Sequence, residues 1–178
     1  MKTTFSVLGL LMLLMISCQQ EPTLQKYFVE KAGSKNFVTL DIAPTIIKTE
    51  KLSLTPEEQT ALKSLHKFNV LAFTATPKNQ AEYKKEKDKV KALLKGEEYE
   101  ELMHVGSNEQ GASIHTIGEG EHIEEFVVYV HKQENGFGVI RVLGEDMTPN
   151  NVMTLVGILQ KADMNMEQLK PLQAMMKQ

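Results

Sequence analysis

Five histidines are the residues best equipped for chemistry near neutral pH: His66, His104, His115, His122 and His131. A zinc centre needs three or four ligands that converge on one point. His115 and His122 flank one turn, with Glu119, Glu121 and Glu124 close by in the chain. They are the metal candidates, and a hydrolase or metal-dependent enzyme built on that hairpin is one reading. Neither an HExxH run nor paired cysteines support it, and polar strand residues facing water produce the same pattern. Gly118-Glu119-Gly120 and Gly136-Phe137-Gly138 open no helix, so they lack the geometry that cradles phosphate. Ser107 and Ser113 have no GxSxG setting. Glu100-Glu101 and Glu124-Glu125 are adjacent pairs, and neighbours on a strand point to opposite faces. The sequence assigns no catalytic residue and calls for no cofactor.

The lone cysteine is different. Cys18 closes an apolar run from Phe5 to Ile16 that follows Lys2. A spanning helix needs about 20 apolar residues, and this run is shorter. A positive start, a short apolar stretch and a small residue at its end make a secretory signal. Met15-Ile16-Ser17-Cys18 resembles a bacterial lipobox. The resemblance implies cleavage between Ser17 and Cys18, a diacylglyceryl group on the Cys18 thiol and an acyl chain on the new amino terminus. Two or more chains anchor stably where one does not, so the expected partner of Cys18 is a membrane. Gln19 is not the Asp that resembles an inner-membrane retention signal, which favours the outer membrane of a bacterial envelope over the inner.

The expected organisation is a signal peptide over 1–17, a lipidated tether over 18–23, one domain over 24–162 and a Met-rich tail over 163–178 that is an extra helix or a frayed end. Removing the signal leaves about 160 residues and moves the formal charge from −3 to −4, because Lys2 is the only charge lost. That mild acidity, with secretion, argues against a nucleic-acid partner. Arg141 is the only arginine, which disfavours a phosphate-reading site, where arginine forks are usual. The absence of tryptophan disfavours a carbohydrate platform.

The elements that must position these residues follow from periodicity. Leu24 to Ala32 reads as a helix with Leu24, Tyr27, Phe28 and Lys31 on one face and Gly33 as its stop. Phe37 to Ile42 alternates as a strand, and Thr45 to Lys48 reads as one helical turn. Thr55-Pro56-Glu57-Glu58 carries a capping box, and Ala61, Leu62, Leu65 and Phe68 continue at helical spacing to Asn69. Val70 to Ala75 is then a short covered strand. Pro77 introduces a helix over Gln80 to Lys95; Lys84, Lys85, Lys87, Lys89 and Lys91 read as a basic patch for anionic lipid or, with the interspersed acids, as the favoured solvated face with Lys84–Asp88 and Glu86–Lys89 pairs. From Tyr99 the pattern is a four-strand meander: Glu101–Val105, Ala112–Ile117, Ile123–His131 and Phe137–Leu143, the last pair joined at Asn135-Gly136. Thr148-Pro149 opens a final helix with Val152, Leu155, Val156 and Leu159 on its core face. The fold class is α+β, a mostly antiparallel sheet of this meander and two earlier strands, with helices packed mainly on one face.

Several stretches together resemble one known family. They are Tyr27-Phe28-Val29-Glu30-Lys31, Asp41-Ile42-Ala43-Pro44, Lys95 to Met103, Glu124 to Tyr129 and Val139 to Met147. They resemble the small envelope proteins grouped as domain of unknown function 4252. The resemblance implies an envelope location and transfers no activity or binding residue, and the Met-rich tail departs from it. The leading expectation is a lipid-anchored, non-enzymatic module that binds or senses an envelope protein or peptide. A structural role in outer-membrane maintenance is the other alternative to an enzyme.

Overall fold

The computed structural model describes residues 22–120 and 122–176. Ser17, Cys18 and the expected signal peptide lie outside the described residues. Helix α1 (Leu24–Lys31) begins where the Thr23 hydroxyl accepts from Lys26 N–H and ends before Gly33, at φ +74°. Strand β1 (Phe37–Ile42) leads through a 3₁₀ turn (Pro44–Ile46) into the two-residue β2 (Ile47–Lys48). Part of the expected helical turn is therefore strand.

The capping box at Thr55 and Glu58 starts α2 (Pro56–Lys63) as expected, but the helix stops six residues before Asn69. Leu65 and Phe68 belong instead to β3 (Leu65–Thr74). The physical reason is a register shift between Leu65 and Lys67. A bulge adds one residue to the strand period of two, so Leu65 and Phe68 face the same side three residues apart, a spacing that imitates a helix.

Helix α3 (Gln80–Leu93) follows a loop in which the Asn79 side chain accepts from Thr76 N–H and donates to Thr74 O. The meander is β4 (Glu100–Gly106), β5 (Gln110–Glu119), β6 (His122–Lys132) and β7 (Gly136–Met147), each longer than its apolar core. Gly136 is required: at φ +120° it passes so close to β3 that a Cβ would lie 1.8 Å from Phe73 O. A second capping box, Thr148 with Asn151, starts α4 (Pro149–Lys161). The tail is organised. Asp163–Met164 forms β8, which pairs with β2, and α5 spans Lys170–Met176.

The main sheet has the order β1-β3-β7-β6-β5-β4, all neighbours antiparallel. Helices cover both faces rather than mainly one. On the first face, Leu24, Tyr27 and Phe28 of α1 and Tyr83, Val90 and Leu93 of α3 pack on Leu71, Phe73, Val127 and Val139. Phe37, Phe73 and Phe137 form one paired row there, with Phe73 and Phe137 stacked at 5.4 Å. On the second face, Ala61 of α2 and Val152, Leu155 and Ile158 of α4 pack on Phe68, Phe126 and Val142. The Lys161 ammonium bonds Glu58 and ties α4 to α2. Among the described residues, no helix is long and apolar enough to cross a membrane.

Candidate functional site

Antiparallel pairing sorts the second face into rows that cross the whole sheet. The deepest row includes Ile42, Phe68, Val142 and Phe126 and lies in the core beneath α2 and α4. The next row is Leu40, Val70, Ile140, Val128, Ile114 and Met103, one residue from each strand. The third is Val38, Ala72, Gly138, Val130, Ala112 and Val105. Neither of these two rows carries a polar side chain. Exposure rises from row to row: Phe126 and Val142 are almost wholly buried, Ile140 and Val128 are half-buried, and Val130 and Val105 are 43% and 54% exposed.

A cavity of about 390 Å³ opens over the middle row. Its floor includes Val70, Ile140, Val128 and Ile114, and its walls are Val156, Leu159 and Gln160 of α4 with Met164, Leu169 and Leu172 of the tail. Among the described residues, Gln160 is the single polar one of its lining. The volume falls within the range of small-ligand sites, which are mostly apolar with a few polar groups. A second hollow of about 320 Å³ continues past Leu172 over Ala72, Val130 and Gly138. The open row is thus an apolar shelf leading into the cavity.

The first face is chemically opposite. Arg141 Nε and Nη2 donate to the two Glu125 carboxylate oxygens at 2.7 and 2.6 Å, with both side chains buried. Burial acts to lower the Arg141 pKa, but the Glu125 bonds outweigh it and hold the guanidinium above its ordinary value. The sole arginine is therefore occupied. Tyr27 OH and Lys31 Nζ both donate to buried Glu86 at 2.8 Å. Burial, then the bond to Glu86, raises the Tyr27 phenol well above its usual range.

The two candidate histidines are not brought together. His115 is buried on β5, its Nε2 2.9 Å from Ser113 Oγ, whereas His122 is exposed at the start of β6, 3.3 Å from Asp146. Glu119 pairs with His122 across the hairpin, so four strand residues, about 13 Å, separate the two positions along the sheet. His115, Ser113 and Glu101 invite comparison with a nucleophile triad. In such a triad the acid holds the ring nitrogen opposite the serine. Here Glu101 Oε2 lies 3.9 Å from Nε2, the nitrogen that meets Ser113, and buried Nδ1 has no partner among the described residues. Burial lowers the His115 pKa, with the Glu101 charge opposing. His131, stacked on Tyr129 at 5.3 Å, is also held below its ordinary value by burial and the Lys91 charge. Among the described residues, no three histidine, cysteine or acidic side chains group as metal ligands.

Sequence reasoning identified the meander but not the cavity. The signal was present in Phe126-Val127-Val128-Tyr129-Val130 and Val139-Ile140-Arg141-Val142-Leu143, runs too apolar for a strand with one wet face. They show that both faces want cover, without showing how much cover the chain supplies.

No curated protein and no solved structure matches the chain. The model of one family, described as a domain of unknown function (DUF4252), matches residues 27–155, most of the chain including both strand-rich halves of the sheet, and the protein belongs to that family.

Proposed function

We propose that this chain is a non-enzymatic binding module, held at the bacterial envelope by lipid on Cys18, that docks an apolar segment of a protein or peptide on the second face of its sheet. The observation that carries the reading is the apolar shelf of Val38, Ala72, Gly138, Val130, Ala112 and Val105 opening into the cavity. Contiguous exposed apolar surface of this kind marks interaction sites. A partner helix with apolar residues at i, i+3, i+4 and i+7 has the shape for such a groove. Each valine it covers contributes on the order of 1.5 kcal/mol. The outer membrane is the favoured location.

The test is fluorescence anisotropy of a dye-labelled, leucine-rich amphipathic peptide titrated with the protein. Saturable binding that Val130→Lys weakens at least tenfold, and that His122→Ala leaves alone, supports the reading. Absent binding, or binding indifferent to Val130, contradicts it. Mass spectrometry of the mature amino terminus tests the anchor separately, and an unmodified Cys18 in an uncleaved chain overturns it.

A further inference from the structure

Helix α3 was expected to balance its own charges, and it does not. Six lysines fall between Lys84 and Lys95, against Glu82, Glu86 and Asp88. Glu86 turns inward, where Tyr27 and Lys31 donate to it, and Lys89 bonds Glu30 of α1 rather than Glu86. Glu82 accepts from Asn36. Asp88 is the exposed acid left on the helix. Lys84, Lys85, Lys91 and Lys95 surround it on the outward side, and among the described residues no carboxylate lies within 4 Å of any of their ammonium groups. Burial, together with the charges of Lys87 and Lys95, lowers the Lys91 pKa against the pull of Asp88, as crowding of like charge requires. The exposed Glu97 and Glu98 bound this patch at the C-terminal end of α3, so the basic surface is the flank of the helix rather than its tip.

The chain enters the domain beside this patch, near the C-terminal end of α3. Pro22 and Thr23 line a hollow with Lys89, Ala92 and Leu93 and, at the end of the helix, Gly96, Glu97 and Glu98. Four peptide units join Cys18 to Pro22, at most about 14 Å of extended chain. A lipid on Cys18 therefore keeps the start of α1 and the adjoining end of α3 within that distance of the bilayer. Lysine clusters beside an acyl anchor are drawn to anionic headgroups, and the two signals together hold a protein at a membrane where one is marginal.

Resting on the lipid-anchor reading above, we propose that the flank of α3 bearing Lys84, Lys85 and Lys91, with Lys95 just past its end, lies on the anionic phospholipid headgroups of the anchoring membrane, so that the apolar second face looks away from the bilayer. α1 and α3 fill the layer on one side of the sheet and the cavity lies on the other. The occupant of the cavity then arrives from the aqueous side. It is a protein or peptide segment, not lipid drawn from the anchoring bilayer.

The chain has no tryptophan, so one introduced indole reports alone. Ala92→Trp places it on the outer flank of α3, and Met153→Trp places it on the exposed side of α4, both at exposed positions. The full lipidated protein is reconstituted into vesicles of phosphatidylcholine with phosphatidylglycerol, and quenching by a headgroup-labelled nitroxide lipid is read for each variant. The expected result is quenching at least threefold stronger for Ala92→Trp. Adding Lys84→Glu, Lys85→Glu and Lys91→Glu should remove most of that difference while the protein stays on the vesicles. Equal quenching, or stronger quenching of Met153→Trp, in protein that co-floats with vesicles overturns the orientation and leaves the anchor standing. Protein that does not co-float overturns the anchor and the orientation with it.

Discussion

At the scale of single residues, the first face is held by charges that have nowhere else to go. Glu125 and Arg141 face each other across paired strands β6 and β7, both buried. Removing one partner strands the other, which costs roughly 3–5 kcal/mol, while replacing both by apolar groups of similar volume is often neutral. Urea unfolding of Arg141→Met is therefore expected to show a loss of that size, and Glu125→Leu/Arg141→Met to recover most of it. Additive losses contradict the pairing. The buried histidines set the pH response. His115, facing Glu101 and His104, and His131, facing Lys91, Lys87 and the Ser107 carbonyl, both have folded pKa values below their ordinary value. The unfolded chain then binds more protons as pH falls below about 6.5. Their stabilisation is complete above that pH and is lost as pH falls through the folded values. Urea midpoints should drop between pH 7 and pH 5, above the range of the lowered carboxylates Glu30 and Asp41, and His115→Gln/His131→Gln should flatten the slope. An unchanged slope in the double variant excludes this origin.

At the scale of elements, legibility followed whether a segment's partners were local. Capping boxes are local, and Thr55 and Thr148 started their helices where expected. The bulge in β3 was invisible because only pairing with β7 creates it. Local spacing pairs Glu86 with Lys89 of its own helix, whereas its partners, Tyr27 and Lys31, lie more than fifty positions away. The tail followed the same rule: Met164 becomes ordered through pairing with Ile47, and Leu169 packs against the second-face core. Ending the chain after Ala162 removes Met164, Leu169 and Leu172 from the cavity wall. That truncation is expected to raise the fluorescence of an apolar dye such as anilinonaphthalene sulfonate several-fold at native pH, with far-ultraviolet dichroism retaining the sheet signal. No gain in dye fluorescence from a folded truncated chain contradicts the tail's role as a wall.

At the scale of the whole molecule, one sheet separates two environments: a mixed polar and aromatic layer under α1 and α3, and an apolar layer whose cover runs out beyond α4 and α5. The candidate site was partly legible. The runs in β6 and β7 announced two apolar faces, but the extent of their cover depends on helix placement, which no local pattern records. The histidine hairpin looked chemical because His115 and His122 are near in sequence, yet pairing leaves one buried and the other exposed on separate strands. Alternation along β6 and β7 provides an internal control for which face binds: Val128, Val130 and Ile140 point one way, Val127 and Val139 the other. The decisive measurement is a methyl-selective NMR titration of the Ile, Leu and Val side chains with the amphipathic peptide. Shifts concentrated at Ile114, Val128, Val130 and Ile140, with Leu71, Val127 and Val139 unmoved, are the predicted result. Shifts concentrated on Leu71, Val127 and Val139, or none at saturating peptide, contradict the account.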